Sequence, residues 1–190
     1  MSGGTREKIV QAAMDRFHAL GFNACGVQEI VDAAGVPKGS FYNHFKAKEL
    51  LAIEVLETYS KGSRRELLLD ESVPPLDRLR NHFGFLASRY EANGYTRGCL
   101  IGNFAVETAD GMPELRDALD KSINRWTATL AGVIRQGQAD GSIVTDLDPD
   151  QAARFLISAW EGAVMRMKVA KTRESLDDFF AVVFPRLQAR

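Results

Sequence analysis

The sequence is short of most of what builds a metal site, a secreted scaffold or a nucleophilic enzyme. Only two cysteines, Cys25 and Cys99, occur in 190 residues. They cannot make a disulfide framework or a Cys-rich zinc site, and a reducing compartment keeps them as thiols. The three histidines, His18, His44 and His82, are scattered without metal-ligand spacing. There is no Gly-rich phosphate loop and no Ser/His/Asp order. No window reaches the ~18–20 uncharged apolar residues that span a bilayer. The start, Met1-Ser2-Gly3-Gly4-Thr5-Arg6-Glu7-Lys8, lacks the apolar core of a signal peptide. These absences predict a cytoplasmic chain that uses no metal and no cofactor. An excess of one charge is missing too: 24 Lys+Arg face 25 Asp+Glu, a net charge of −1. Taken as an average, that balance argues against a phosphate-rich partner.

What is present is helix. Apolar residues make up 45% of the chain, and most fall at i, i+3, i+4 spacing. Residues 5–20 set Ile9, Ala12, Ala13, Phe17 and Leu20 on one face, with Thr5 as N-cap and Gly21 as stop. Val27, Ile30, Val31 and Ala34 form a second set ending at Gly35, and Glu29 three residues after Gly26 makes half a capping box. Pro37 suits the first turn of a third, short helix. Residues 46–69 read as one long helix, broken by Pro74-Pro75. Further helices fit 76–90, 99–109, 114–139, 149–170 and about 175–187, the last weakened by Pro185. Asp146 and Asp148 before Pro149 read as a capped helix start, not a carboxylate pair. Alternation typical of a strand is confined to 142–145. The expectation is an all-α protein of about nine helices.

Residues 26–45 have the size of a helix-turn-helix unit, whose second helix enters the DNA major groove. Such a helix must be apolar behind and hydrogen-bonding in front. Phe41 and Phe45, four apart, point one way, where Ile30 and Leu50 are expected to pack on them. Lys38, Gly39, Ser40, Tyr42, Asn43 and His44 supply donors, acceptors and a glycine for close approach. Residues 38–48 hold three lysines, one histidine and no acid, so the net charge of −1 conceals a local basic cluster. The plainer alternative is a polar outer face on an ordinary three-helix core.

The run Gly35-Val36-Pro37-Lys38-Gly39-Ser40-Phe41-Tyr42-Asn43-His44-Phe45-Lys46-Ala47-Lys48-Glu49-Leu50-Leu51 strongly resembles the helix-turn-helix signature of tetracycline-repressor-type (TetR family) regulators. Thr5-Arg6-Glu7-Lys8-Ile9, Gly21-Phe22 and Val27-Gln28-Glu29-Ile30 fall where that family has its first two helices. The resemblance implies a dimeric DNA-binding repressor with a three-helix head at 1–50 and an effector-binding and dimerisation domain at 51–190. Carried over by position, Lys38, Gly39, Ser40, Tyr42, Asn43 and His44 lie on the recognition helix. Tyr42 and Lys48 hold phosphates, Lys38, Ser40 and Asn43 reach base edges, and Gln28 is a further contact. Cys25-Gly26 stands where the family has Ser or Thr, so a hydroxyl cap and phosphate contact are missing there.

In the second part, the apolar positions of 114–139 and 149–170 exceed one stripe. The resemblance favours a two-fold dimer in which these two helices meet their mates, implying a pseudo-palindromic operator. Arg97-Gly98-Cys99-Leu100-Ile101-Gly102-Asn103 is similar to a segment in a TetR subgroup that includes repressors of electrophile- and aldehyde-detoxifying reductases. Cys99, near a helix start and an arginine, is there a candidate redox or electrophile sensor, with Lys168 as a stabilising amine. Burial as a small hydrophobe is the competing account of Cys99. Tyr90, Asn103, Phe104, Trp126, Trp160, Met165 and Met167 are the candidates for an effector pocket, against a plain core role. A thiol-dependent enzyme using Cys99, or a helical module that no longer binds DNA, are the alternatives to a regulator.

Overall fold

A computed structural model describes residues 4–189. Among them are nine α-helices and one short 3-10 helix: α1 Thr5–Leu20, α2 Val27–Ala34, α3 Lys38–His44, α4 Lys48–Lys61, the 3-10 turn Arg65–Leu68, α5 Pro75–Ala92, α6 Leu100–Thr108, α7 Pro113–Ala139, α8 Pro149–Ala170 and α9 Glu174–Leu187. The all-α expectation holds. The expected strand at 142–145 reduces to a single antiparallel bridge, Ile143 to Gln188.

Several boundaries differ from the sequence reading, each for a local reason. Gly4, not Thr5, caps α1, and the Glu7 carboxylate accepts the Gly4 amide at 3.1 Å. Pro37 is the extended residue before α3 instead of part of its first turn. The helix expected over 46–69 stops at Lys61. Arg64 then adopts left-handed backbone (φ 54°), and the chain resumes as the 3-10 turn, whose Leu68 is fully buried. Pro185 sits inside α9, yet the helix runs on to Leu187 because Phe184 and Leu187 are buried on either side of it. Asp148 caps α8 as expected, accepting the Gln151 amide at 2.7 Å.

The chain divides into two compact units. The first takes residues up to Gly62 together with Cys99–Ser122. Ile9, Ala13 and Phe17 of α1, Ile30 and Val31 of α2, Phe41 of α3, Leu51 and Val55 of α4 and Phe104 of α6 form its core. Phe17, Phe22 and Phe104 meet as an aromatic trio with centroid separations of 5.4, 5.6 and 6.0 Å. The second unit holds Ser63–Gly98 and the chain from Ile123 onward. Its centre is aromatic: Phe83, Trp160 and Phe179 lie 5.0–5.1 Å from one another. Backbone bonds from Val144 to Leu187 and from Ala189 to Ser142 clip its C-terminal residues to the loop after α7.

Candidate functional site

The turn between α2 and α3 is built on Gly35. Its backbone is left-handed (φ 65°), a conformation glycine adopts without steric cost, and its amide is donated to Val31 and Asp32. α3 then presents two unlike sides. Phe41 is fully buried, with its ring 5.8 Å from that of Phe45, which is buried too. Ile30 packs into this core as expected, but Leu50 is 40% exposed and its neighbour Leu51 takes the buried place. Lys38, Gly39, Tyr42, Asn43 and His44 are exposed, and Ser40 is half-buried. The Tyr42 ring stands edge-on to Phe41 at 5.2 Å, which steadies a side chain otherwise in solvent. A seven-residue helix thus carries a row of donors and acceptors on a rigid aromatic spine.

Residues around it show how the head is held. Gln28 is exposed but donates to Asp32 at 2.8 Å. The missing hydroxyl at position 26 leaves α2 intact, since Glu29 accepts the Gly26 amide at 2.8 Å. Cys25 is fully buried, and burial, then the Glu29 charge, push its thiol pKa up. Its place is structural. Lys48 is engaged inside the head. Its ammonium donates to the carbonyls of Phe22 at 2.8 Å and Cys25 at 3.0 Å and sits 4.1 Å over the Phe22 ring. Only one of its three protons remains for anything else. Lys46, two residues earlier, is exposed.

The candidate effector residues fall in both units. In the first, Cys99 is the buried N-cap of α6 and its carbonyl accepts the Asn103 amide at 3.0 Å. Asn103 is half-buried, and Phe104 belongs to the aromatic trio. In the second, Tyr90, Trp126, Trp160 and Met167 are buried in the core, Met165 is 65% exposed, and Lys168 is half-buried in the last turn of α8. The indole of Trp126 donates to His82 Nε2 at 3.0 Å. His82 is fully buried, and burial pushes its pKa down to about 4, so it is neutral at pH 7 with its proton on Nδ1. Sequence reasoning missed this pair, because nothing local links positions 44 residues apart. Trp160 is fully buried, and its indole nitrogen has no hydrogen-bond partner among the described residues.

Large apolar side chains in solvent are spread over the chain, Val106 on α6 being the most exposed, and four of them lie on α8 (Phe155, Met165, Val169) and α9 (Val182). Phe155, Leu156 and Val182 line a groove of ≈ 1230 Å³. α7 exposes no large apolar side chain among the described residues. No described group of His, Cys, Asp and Glu could hold a metal ion, and no described helix is long and apolar enough to cross a membrane.

Comparison with known proteins gives this geometry its family. Residues 9–55 match the model of bacterial regulatory proteins of the tetR family, and residues 75–183 match the tetracyclin repressor-like C-terminal domain. The chain is 40% identical to the HTH-type transcriptional repressor DhaR of Mycobacterium sp. (strain GP1), over 96% of its own length and 91% of that protein. The crystal structure of the reduced form of Escherichia coli NemR superposes with a TM-score of 0.90 at 28% identity, covering 98% of both chains. A regulatory protein TetR from Rhodobacter sphaeroides matches with a TM-score of 0.88 at 32% identity, over 95% of this chain and 97% of that one. The exposed donor row on α3 therefore sits in a helix-turn-helix of known kind, and the chain belongs to the TetR family of DNA-binding transcriptional regulators.

Proposed function

We propose that this regulator is a homodimeric repressor that holds a pseudo-palindromic operator and leaves it when a small molecule or electrophile engages the chain outside the head. In this reading residues 1–50 contact DNA and residues 51–190 bind effector and mediate dimerisation. The observation that carries it is the two-sided α3, with Phe41 buried and Lys38, Tyr42, Asn43 and His44 turned to solvent. Lys38, Ser40 and Asn43 read base edges with Gly39 allowing close approach, while Tyr42 and Lys46 hold phosphates and set register. His44 and Gln28 flank that surface. Lys48, with two protons already committed to carbonyls, acts chiefly by fixing the head.

Two-fold pairing is best supported on α8 and α9, not on α7 and α8 as expected from the family resemblance, since the solvent-facing Phe155, Met165, Val169 and Val182 lie there. Two copies of α3 then stand about one DNA turn apart or a simple multiple. Cys99 is the sensor: it stands at the cap of α6, the helix that also reaches the α1–α2 turn, and NemR has a structure described as its reduced form. Moving the population from 1:99 to 99:1 requires a preference of about 5.5 kcal/mol for the released state. No turnover of substrate is part of this function.

The test is fluorescence anisotropy on DNA upstream of the chain's own gene. Salt-sensitive, sequence-specific binding at nanomolar dimer is expected, with loss of binding in Tyr42→Ala. Binding that ignores sequence overturns the reading. Release by N-ethylmaleimide that persists unchanged in Cys99→Ser removes Cys99 from the mechanism.

A further inference from the structure

Helix α6 grips the turn between α1 and α2 at its C-terminal end. Glu107 Oε2 accepts the backbone amide of Asn23 at 3.0 Å, and the Glu107 carbonyl accepts the Asn23 side-chain amide at 3.3 Å. One turn earlier on α6, Phe104 packs edge-on to Phe17 and Phe22. Lys48, at the start of α4, holds the carbonyls of Phe22 and Cys25. Residues 21–25 are thus clamped between α4 and α6. Gly21 is part of the fit: its φ of 86° is one that L side chains rarely adopt, and the Glu107 carboxylate lies against its open side.

A carboxylate in the last turn of a helix faces the negative end of the helix dipole, an unfavourable arrangement. Nothing in α6 itself calls for an acid at position 107. The group that uses it is the Asn23 amide, three residues before the Gly26 cap of α2. We infer that Glu107 is a positioning residue for operator binding: it fixes the α1–α2 turn, and through that turn the start of α2 and the setting of the helix-turn-helix. α6 has Cys99 as its cap at the other end, a nine-residue helix or about 13 Å away. A displacement at the cap would reach the head through Glu107. That last consequence rests on the proposed sensing role of Cys99, whereas the positioning role of Glu107 does not.

The experiment measures operator affinity of the full chain across a salt series for the wild type, Glu107→Ala and Glu107→Gln, with thermal melts alongside. Glu107→Ala is expected to bind about tenfold more weakly, the loss of one charge-assisted hydrogen bond that orders the turn. The slope of log affinity against log salt should stay unchanged, because no phosphate contact is removed. Glu107→Gln keeps an acceptor oxygen for Asn23 and should recover most of the affinity. An alanine variant that binds as the wild type does, or a glutamine variant as weak as alanine, overturns the inference. Should Glu107→Ala not fold, Glu107→Met keeps the length of the side chain but offers no acceptor to the Asn23 amide; wild-type affinity there overturns the inference equally. Wild-type binding by itself tests the regulator reading, and the ratio between variants tests Glu107.

Discussion

Helix α3 leaves Lys38, Tyr42, Asn43 and His44 turned to solvent, whereas α5, α7 and α8 turn Arg78, His82, Trp126 and Trp160 inward. Arg78 is 4% exposed and spends its guanidinium on the Leu68 carbonyl at 3.2 Å and the Gln136 side chain at 2.6 Å. His82 and Trp126 use each other. Polar groups facing out are available to an outside partner and add little to stability. Polar groups facing in fix one packing of the aromatic core, and each is costly to leave unpaired. Binding and stability are therefore written into different parts of the chain.

Substitutions can break that comparison. The largest effect is expected from Trp160→Ala, which empties the centre of the Phe83–Phe179 cluster and should cost about 3–5 kcal/mol in urea unfolding. A loss under about 1 kcal/mol would mean that the core is not packed as described.

Next comes pH. His82 has a folded pKa of about 4 against 6.5 for an ordinary histidine, so the unfolded chain binds the proton first as pH falls. Stability should be flat above pH 6.5, decline between 6.5 and 4, and level off below. The drop from this group is about 3 kcal/mol. His82→Gln should remove that part of the pH dependence of unfolding, and a profile unchanged by the substitution would contradict it. The smallest effect on stability is reserved for Asn43→Ala, expected within about ±0.5 kcal/mol while operator binding falls by about 1–3 kcal/mol. A variant that unfolds more easily but binds as before would reverse the contrast.

The head is legible in the sequence because its information is local. Gly35 marks a left-handed turn, Phe41 and Phe45 stand one helical turn apart, and the short third helix expected after it spans Lys38–His44. Choices that depend on distant chain are not legible. Leu50 and Leu51 are equally apolar, and only packing decides that Leu51 is buried. That Lys48 also holds the carbonyls 23 and 26 residues before it has no local signal. Trp126, Trp160 and Tyr90 have the composition of a pocket and the position of a core. The break after Lys61 has a local signal that the long-helix reading passed over: Gly62-Ser63, inside a stretch without large apolar residues between Tyr59 and Leu67, with Arg64 turning the backbone there.

The pairing of Trp126 with His82 has a use in spectroscopy. The chain has two tryptophans, one donating to an imidazole and the other with no hydrogen-bond partner among the described residues. Their emission should differ in energy, the unbonded indole of Trp160 bluer than that of Trp126. Imidazolium quenches a neighbouring indole, so acid should dim the Trp126 band first. The protein thus carries two native optical probes in one core, and Trp126→Phe isolates the second without an added label.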